Sequence, residues 1–309
     1  MDTALSVISG MLLLLCGIHF MRHGLQHILG NKLHQTLIRI TVTPWRGLLV
    51  GIFSSALMQS STAVSLITIG LVSSGYLSFH QSLGIILGAN IGTCSTVQLM
   101  TLSLPDQYLL PLLLFFLALL LVKKLRYLAL AISSFLCIFI GINLISSSLS
   151  YISELNTALE YIAAGKTNPV YGITGGILIT LLLQSSSAAT ALLMVFANEG
   201  MIDLTTAIYV VYGNNIGSCL SSLIIGLASP LAGKRVAAAH IILNIVGALM
   251  FLPFTKLFAY FMLQVSPEIT GQIALAHTTF NIVSSLIVIP FAKQFAKLII
   301  LLVPERRYY

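Results

Sequence analysis

Two four-residue polar runs interrupt an otherwise apolar chain: Gln59-Ser60-Ser61-Thr62 and, 125 residues later, Gln184-Ser185-Ser186-Ser187. Each offers one amide and three adjacent hydroxyls, a set suited to holding ions. Hydroxyls donate to an anion or ligate a hard cation, and an amide can donate or lend its carbonyl. Ser and Thr favour helix N-caps, and a helix beginning at each cluster would aim free N–H groups and its positive dipole end at an anion. A second pair of motifs follows, Gly88 to Thr93 and Gly213 to Ser218. Here the glycines are expected to open the helix and turn carbonyls inward beside Asn90, Thr93, Asn215 and Ser218, an oxygen-rich set that fits Na⁺. Gln59 and Gln184 can join that set through their amide oxygens. No Asp, Glu, Lys or Arg stands in either motif, so a multivalent anion held there is expected to draw its counter-charge from co-bound Na⁺.

The elements that must position these groups are membrane helices. Hydrophobic residues make up 57% of the 309, charged residues 7%, and mean hydropathy is +1.00. That composition belongs to an all-α polytopic membrane protein rather than a soluble domain, and it removes nucleic acid as the reason for the net charge of +7. Apolar runs near the length that spans hydrocarbon fall at 4–21, 81–103, 108–122, 127–149, 205–228, 236–253 and 273–290, with an ambiguous segment at 254–272. The first run lacks a basic leader and a small-residue cleavage site, and reads as a retained helix. Arg22 then opens a basic connector reaching Arg46.

Charge placement decides how 47–73 and 170–198 sit. If both are re-entrant hairpins, 13 Lys/Arg and one acid fall on one side, and two Lys and seven acids on the other. That matches the positive-inside tendency, with the N-terminus outside, the C-terminus cytoplasmic, and the chain in the inner (plasma) membrane. Hairpin tips of this length reach about 18–20 Å deep, near the midplane. Residues 51–102 align without gaps on 176–227. The expected architecture is therefore one transport domain over 1–309. It holds two inverted-topology repeats (about 4–122 and 127–253), each with a re-entrant hairpin and a broken transmembrane helix, followed by C-terminal helices over 254–309. In such repeats the site lies where the two halves meet.

Further polar patterns support this reading. His240 and Asn244, with Pro253 beyond, are matched by His277, Asn281 and Pro290 at an offset of 37. Four-residue spacing puts His and Asn on one helix face, where they are expected to support the hairpins by hydrogen bonding. His19, His23 and His27 share a helix face but lack a carboxylate or thiolate partner for a metal site. Cys16, Cys94, Cys137 and Cys219 lie in apolar segments and read as small buried hydrophobes. An enzyme with a Ser nucleophile and His240 or His277 as base is the remote alternative, disfavoured by the missing orienting carboxylate. No catalytic residue and no cofactor are expected.

The twin Gln-Ser-Ser motifs, the Gly-x-Asn-Ile-Gly segments and the Ala276-His277, Phe280-Asn281 and Pro290 run resemble the type II sodium/phosphate cotransporter family over about residues 10–292. Thr62 departs from a third Ser but keeps the hydroxyl. The resemblance implies Na⁺-coupled movement of inorganic phosphate, with Gln59, Ser60, Ser61, Thr62, Gln184, Ser185, Ser186 and Ser187 lining the substrate site. It places Asn90, Thr93, Asn215 and Ser218 nearby, and the end at Tyr309 corresponds to a bacterial short form without a C-terminal regulatory domain. Sulfate, a carboxylate, or outward phosphate movement remain alternatives on the same scaffold. Lipid is the expected surroundings, and the apolar faces permit a homodimer.

Overall fold

Every element in the described residues is helical, one of the two ways a chain in hydrocarbon satisfies its backbone internally. The structure is a computed structural model describing residues 3–29, 41–102, 104–149 and 156–305. The parts of the expected sidedness that rest on 30–40, 150–155 and 306–309 lie outside them.

In order the α-helices are α1 (Thr3–Leu29), α2 (Pro44–Met58), α3 (Ser61–Ser73), α4 (Phe79–Leu99), α5 (Asp106–Leu119), α6 (Arg126–Leu149) and α7 (Asn156–Ala163). They continue as α8 (Pro169–Leu183), α9 (Ser186–Asn198), α10 (Leu204–Leu227), α11 (Leu231–Phe251), α12 (Thr255–Val265), α13 (Ile269–Val288) and α14 (Ala292–Leu302). Six helical stretches among the described residues are long and apolar enough to cross a membrane: Leu5–Ile28, Phe79–Leu99, Arg126–Ser148, Leu204–Leu227, Leu231–Val265 and Ile269–Leu302. The protein is a multi-pass membrane protein. Helices α2, α3, α8 and α9 have only 15, 13, 15 and 13 residues. At 1.5 Å per residue each covers about 20–22 Å, short of a 30 Å hydrocarbon core.

The 125-residue repeat is carried into local structure. Helices α8 and α9 begin and end at the positions of α2 and α3 shifted by 125, and α10 and α11 start where α4 and α5 predict. The caps correspond as well: Thr43 and Asn168 accept from the backbone at the starts of α2 and α8, and Gly75 and Gly200 take φ 77° and 72° after α3 and α9. The shorter 37-residue repeat is equally literal. Leu252–Phe254 and Ile289–Phe291 form 3₁₀ turns around Pro253 and Pro290, each followed by an 11-residue helix.

One expectation is overturned. Helices α4 and α10 run unbroken through 88–93 and 213–218, so no unwound carbonyls are presented there. The glycines serve close packing instead. A Cβ on Gly88 would lie 2.0 Å from the Leu48 carbonyl oxygen, and one on Gly51 2.3 Å from the Ile85 carbonyl oxygen. In the second repeat the equivalents are Gly213 against Ile173 O at 2.0 Å and Gly176 against Val210 O at 2.2 Å. The break in each repeat lies at the Gln-Ser joint, not at the glycines.

Contacts divide the chain into two units. One takes Met1–Gly30, Val97–Asn214 and Thr255–Leu275; the other takes Asn31–Thr96, Asn215–Phe254 and Ala276–Tyr309. In the first, α1 and α6 pack through Gly10, Gly17 and Gly24, whose missing side chains admit the α6 backbone at Gly141, Ser134 and Tyr127. In the second, Val50, Met58, Val64, Ile69, Ile85, Ala89 and Val236 share one core drawn from α2, α3, α4 and α11.

Candidate functional site

At the first motif α2 ends on Met58 and α3 starts on Ser61, leaving Gln59 and Ser60 as the whole joint. Gln59 is left-handed (φ 53°, ψ 31°) and Ser60 extended (φ −159°, ψ 106°). At the second, Gln184 (φ 50°, ψ 24°) and Ser185 (φ −154°, ψ 111°) repeat the pair. Among the described residues these glutamines are the only non-glycine positions with positive φ. An L residue there costs about 1–2 kcal/mol, which glycine would avoid. Each Gln explains its presence by closing its own helix. Nε2 of Gln59 donates to Ala56 O and Nε2 of Gln184 to Leu181 O, both at 2.6 Å, satisfying a carbonyl that the helix end leaves orphaned.

The serines divide into two kinds. Ser60 Oγ accepts from Ala63 N at 3.2 Å and Ser185 Oγ from Ala188 N at 3.3 Å, the N-caps of α3 and α9. Thr62 Oγ1 donates to Ser218 O at 3.3 Å within the second unit. Ser187, 1% exposed, has an Oγ with no hydrogen-bond partner in the protein, and unpaired buried hydroxyls are unusual. The first turns of α3 and α9 thus combine free backbone N–H groups with hydroxyls, the arrangement that receives anions.

The two joints differ in what surrounds them. Gln59 is buried, its Oε1 accepting from Thr96 Oγ1 and its Nε2 reaching Ser95 Oγ at 3.4 Å, whereas Gln184 is exposed. More important, Arg22 Nη2 donates to Ser185 Oγ at 3.3 Å within the first unit. This corrects two expectations. Helix α1 continues to Leu29, so Arg22 is part of the helix and not of a connector. And the second motif does have a fixed cation beside it, reached across 163 positions of sequence. The signal was a single Arg following an apolar run, where a charge asks for a function.

In the second unit the structure brings Gln59, Thr62, Asn90, Thr93, Asn215, Ser218, His240, Asn244, His277 and Asn281 into one body. A hydrogen-bonded network joins several of them. Asn244 Nδ2 donates to His240 O at 3.0 Å, so its Oδ1 is the atom that accepts from Asn90 Nδ2 at 3.2 Å. Asn90 Oδ1 then faces His240 Nε2 at 2.9 Å. Nε2 therefore carries the imidazole proton, and Nδ1 accepts from Ser65 at 3.1 Å. Thr93 Oγ1 bonds Ala89 O and Ser55 Oγ, both at 2.8 Å. Asn90 is left with one Oδ1 lone pair for a cation. With α4 and α10 unbroken, what those two helices can offer Na⁺ at these motifs is side-chain oxygens. Sequence reasoning missed Ser55, Ser65, Thr96 and Asn214, which are ordinary polar residues until packing places them. Asn214 links Thr180 and Thr190 at 3.1 Å each in the first unit.

His277, in α13, has a buried Nδ1 without a partner, and Asn281 Nδ2 donates to His277 O at 2.9 Å. Ser65 and His240 are 0% exposed, and no carboxylate orients the imidazole among the hydrogen bonds of this network. No group of three or more His, Cys, Asp or Glu is gathered for a metal among the described residues; His27 stacks on Tyr127 instead, with ring centroids 4.4 Å apart.

His240→Ala is expected to lower the melting temperature in detergent by several degrees, since it strands Asn90 Oδ1 and the Ser65 hydroxyl at about 1–3 kcal/mol each. An unchanged melt would show that the network does not hold α3, α4 and α11 together.

A model of the Na⁺/Pi-cotransporter family matches residues 13–147 and 152–285. The Bacillus subtilis protein YqeW, whose name carries no activity, is 31% identical over 265 residues, covering 83% of this chain and 84% of its own. YjbB of Escherichia coli (strain K12), provisionally named an inorganic phosphate export protein, is 30% identical over 274 residues, 86% of this chain and 49% of its own. This chain thus spans about half the length of YjbB. The sodium-dependent phosphate transport protein 2A of Oryctolagus cuniculus is 34% identical over 101 residues, 30% of this chain and 15% of its own. No solved structure matches.

Proposed function

Because the chain belongs to the Na⁺/Pi-cotransporter family, a family of transporters rather than enzymes, we propose that it carries inorganic phosphate across the cell membrane, coupled to Na⁺, by alternating access. The observation that carries this reading is the duplicated joint. The same left-handed Gln and N-capping Ser stand at two helix starts, in a chain with few charges to spare.

Phosphate is taken by Ser60, Ser61 and Thr62 at one joint and Ser185, Ser186 and Ser187 at the other, with Gln59 and Gln184 holding the joints open. Na⁺ is ligated by side-chain oxygens from Gln59, Asn90, Thr93, Gln184, Asn215 and Ser218. His240, Asn244, His277 and Asn281 hold the helices that carry them. The two short helix pairs are re-entrant, entering from opposite faces, with the C-terminus cytoplasmic; their lengths, too short to span, favour this.

The test is ³²P-phosphate flux in proteoliposomes with the gradient imposed in each direction. Flux should require Na⁺ and stop when choline replaces it. Equal flux in choline would remove Na⁺ coupling, and flux of sulfate or a carboxylate with none of phosphate would reassign the cargo. The provisional name of YjbB makes the outward arm of the assay necessary, since it would reveal an exporter.

A further inference from the structure

Arg22 is the only Asp, Glu, Lys or Arg in the Leu5–Ile28 span. An arginine in a membrane helix is retained when something uses its charge, and its ordinary solution is a carboxylate partner or an outward reach to the lipid headgroups. No carboxylate meets this one among the described residues. Its one hydrogen-bond partner among the described residues is Ser185 Oγ, at 3.3 Å from Nη2, and its Nε is buried with no partner. A guanidinium has five N–H donors in a planar fork that matches the oxygens of an oxyanion.

The state of Ser185 sharpens the point. A hydroxyl oxygen has two lone pairs and one proton. Both lone pairs of Ser185 Oγ face donors, Ala188 N at 3.3 Å and Arg22 Nη2 at 3.3 Å. Its own proton is left to donate elsewhere. Two residues on, Ser187 Oγ is likewise buried and unspent. The start of α9 therefore combines a fixed cation, two hydroxyls with protons to give, and the free N–H groups of a first turn. It accepts negative charge from several directions and offers none.

We propose that Arg22 binds the transported anion together with Ser185 and Ser187, supplying one positive charge that the protein does not have to borrow from a co-bound cation. This rests on the phosphate reading for the identity of the cargo but not for the presence of an oxyanion. It also makes the two joints unequal. Ser60, the counterpart of Ser185, is capped in the same way, yet no cation bonds to it among the described residues. The second joint therefore recognises charge, while the first offers neutral donors.

The test measures equilibrium binding of radiolabelled phosphate and sulfate to the purified protein in detergent with Na⁺ present, comparing wild type, R22Q and R22K. R22Q should bind about tenfold or more weaker, the scale of one charge-assisted hydrogen-bonding group. R22K, which keeps the charge and loses the fork, should fall between, about threefold weaker. Equal loss in R22K and R22Q would mark a packing role and overturn the assignment. R22Q binding phosphate as tightly as wild type overturns the assignment and leaves the phosphate reading standing. Wild type binding sulfate alone, with R22Q losing it, supports Arg22 and overturns phosphate as cargo. No oxyanion binding by wild type overturns both. If R22Q is not monodisperse on gel filtration, R22K decides: a threefold loss supports the role, and wild-type affinity removes it.

Discussion

The Ser61→Ala, Ser186→Ala double variant is expected to lose phosphate flux by roughly two orders of magnitude or more while remaining folded. Both hydroxyls stand at the first residue of their helix, after an N-cap supplied by Ser60 or Ser185. Removing them leaves the caps intact, so stability should change by less than about 1 kcal/mol. A hydrogen bond to a charged group contributes about 1.5–3 kcal/mol, so two lost together amount to about 3–6 kcal/mol, or a factor of at least about 100. The measurement is initial ³²P-phosphate flux per mole of reconstituted protein, with gel filtration confirming the fold. Flux within a few-fold of wild type would take these hydroxyls out of the substrate path.

The second large effect concerns folding rather than transport. Gly88→Val and Gly213→Val should each leave little folded protein, and to a similar degree. A Cβ at either position lands 2.0 Å from a carbonyl oxygen of the neighbouring helix, Leu48 or Ile173. The obstacle is backbone, which has no rotamer to change. The α2–α4 or α8–α10 pair would have to part, with a cost at or above the 1–3 kcal/mol typical of overpacking and the loss of hydrogen bonds such as Thr180 to Asn214. Monodisperse yield from detergent extracts reads this directly. Normal yield of either variant would mean the helices separate without penalty.

Much of this was legible in the sequence because the duplication is so literal. Pro44 and Pro169, Ser60 and Ser185, and Gly75 and Gly200 punctuate the chain at matching positions, and each is a residue type with a fixed local role. The joints at Gln59 and Gln184 followed from hydroxyl clusters inside apolar runs. The glycines misled, because a glycine that lets a helix open and one that lets a neighbour approach look the same in one dimension. Gly88 against Leu48 shows the second use only when the partner helix is known. Arg22 was read as the start of a connector because an arginine ordinarily marks the end of a span. Its partner Ser185 lies 163 residues away, a distance over which no local pattern carries information. The network through His240 was half visible: the spacing to Asn244 put both on one face, while Asn90 and Ser65 joined them only through packing.

The two-residue joint has a mechanical consequence. A connection of one left-handed and one extended residue, with a side chain pinned to the preceding turn at 2.6 Å and a cap fixing the next, has no torsional slack. Helices α2 and α3 are welded at Gln59, and α8 and α9 at Gln184, so neither pair can flex at its tip. At the other ends of α3 and α9, Gly75 and Gly200 turn the chain with positive φ and no neighbouring atom within 4 Å of a would-be Cβ. The two helices of each pair therefore keep their mutual angle, and a shift of one is carried to the other.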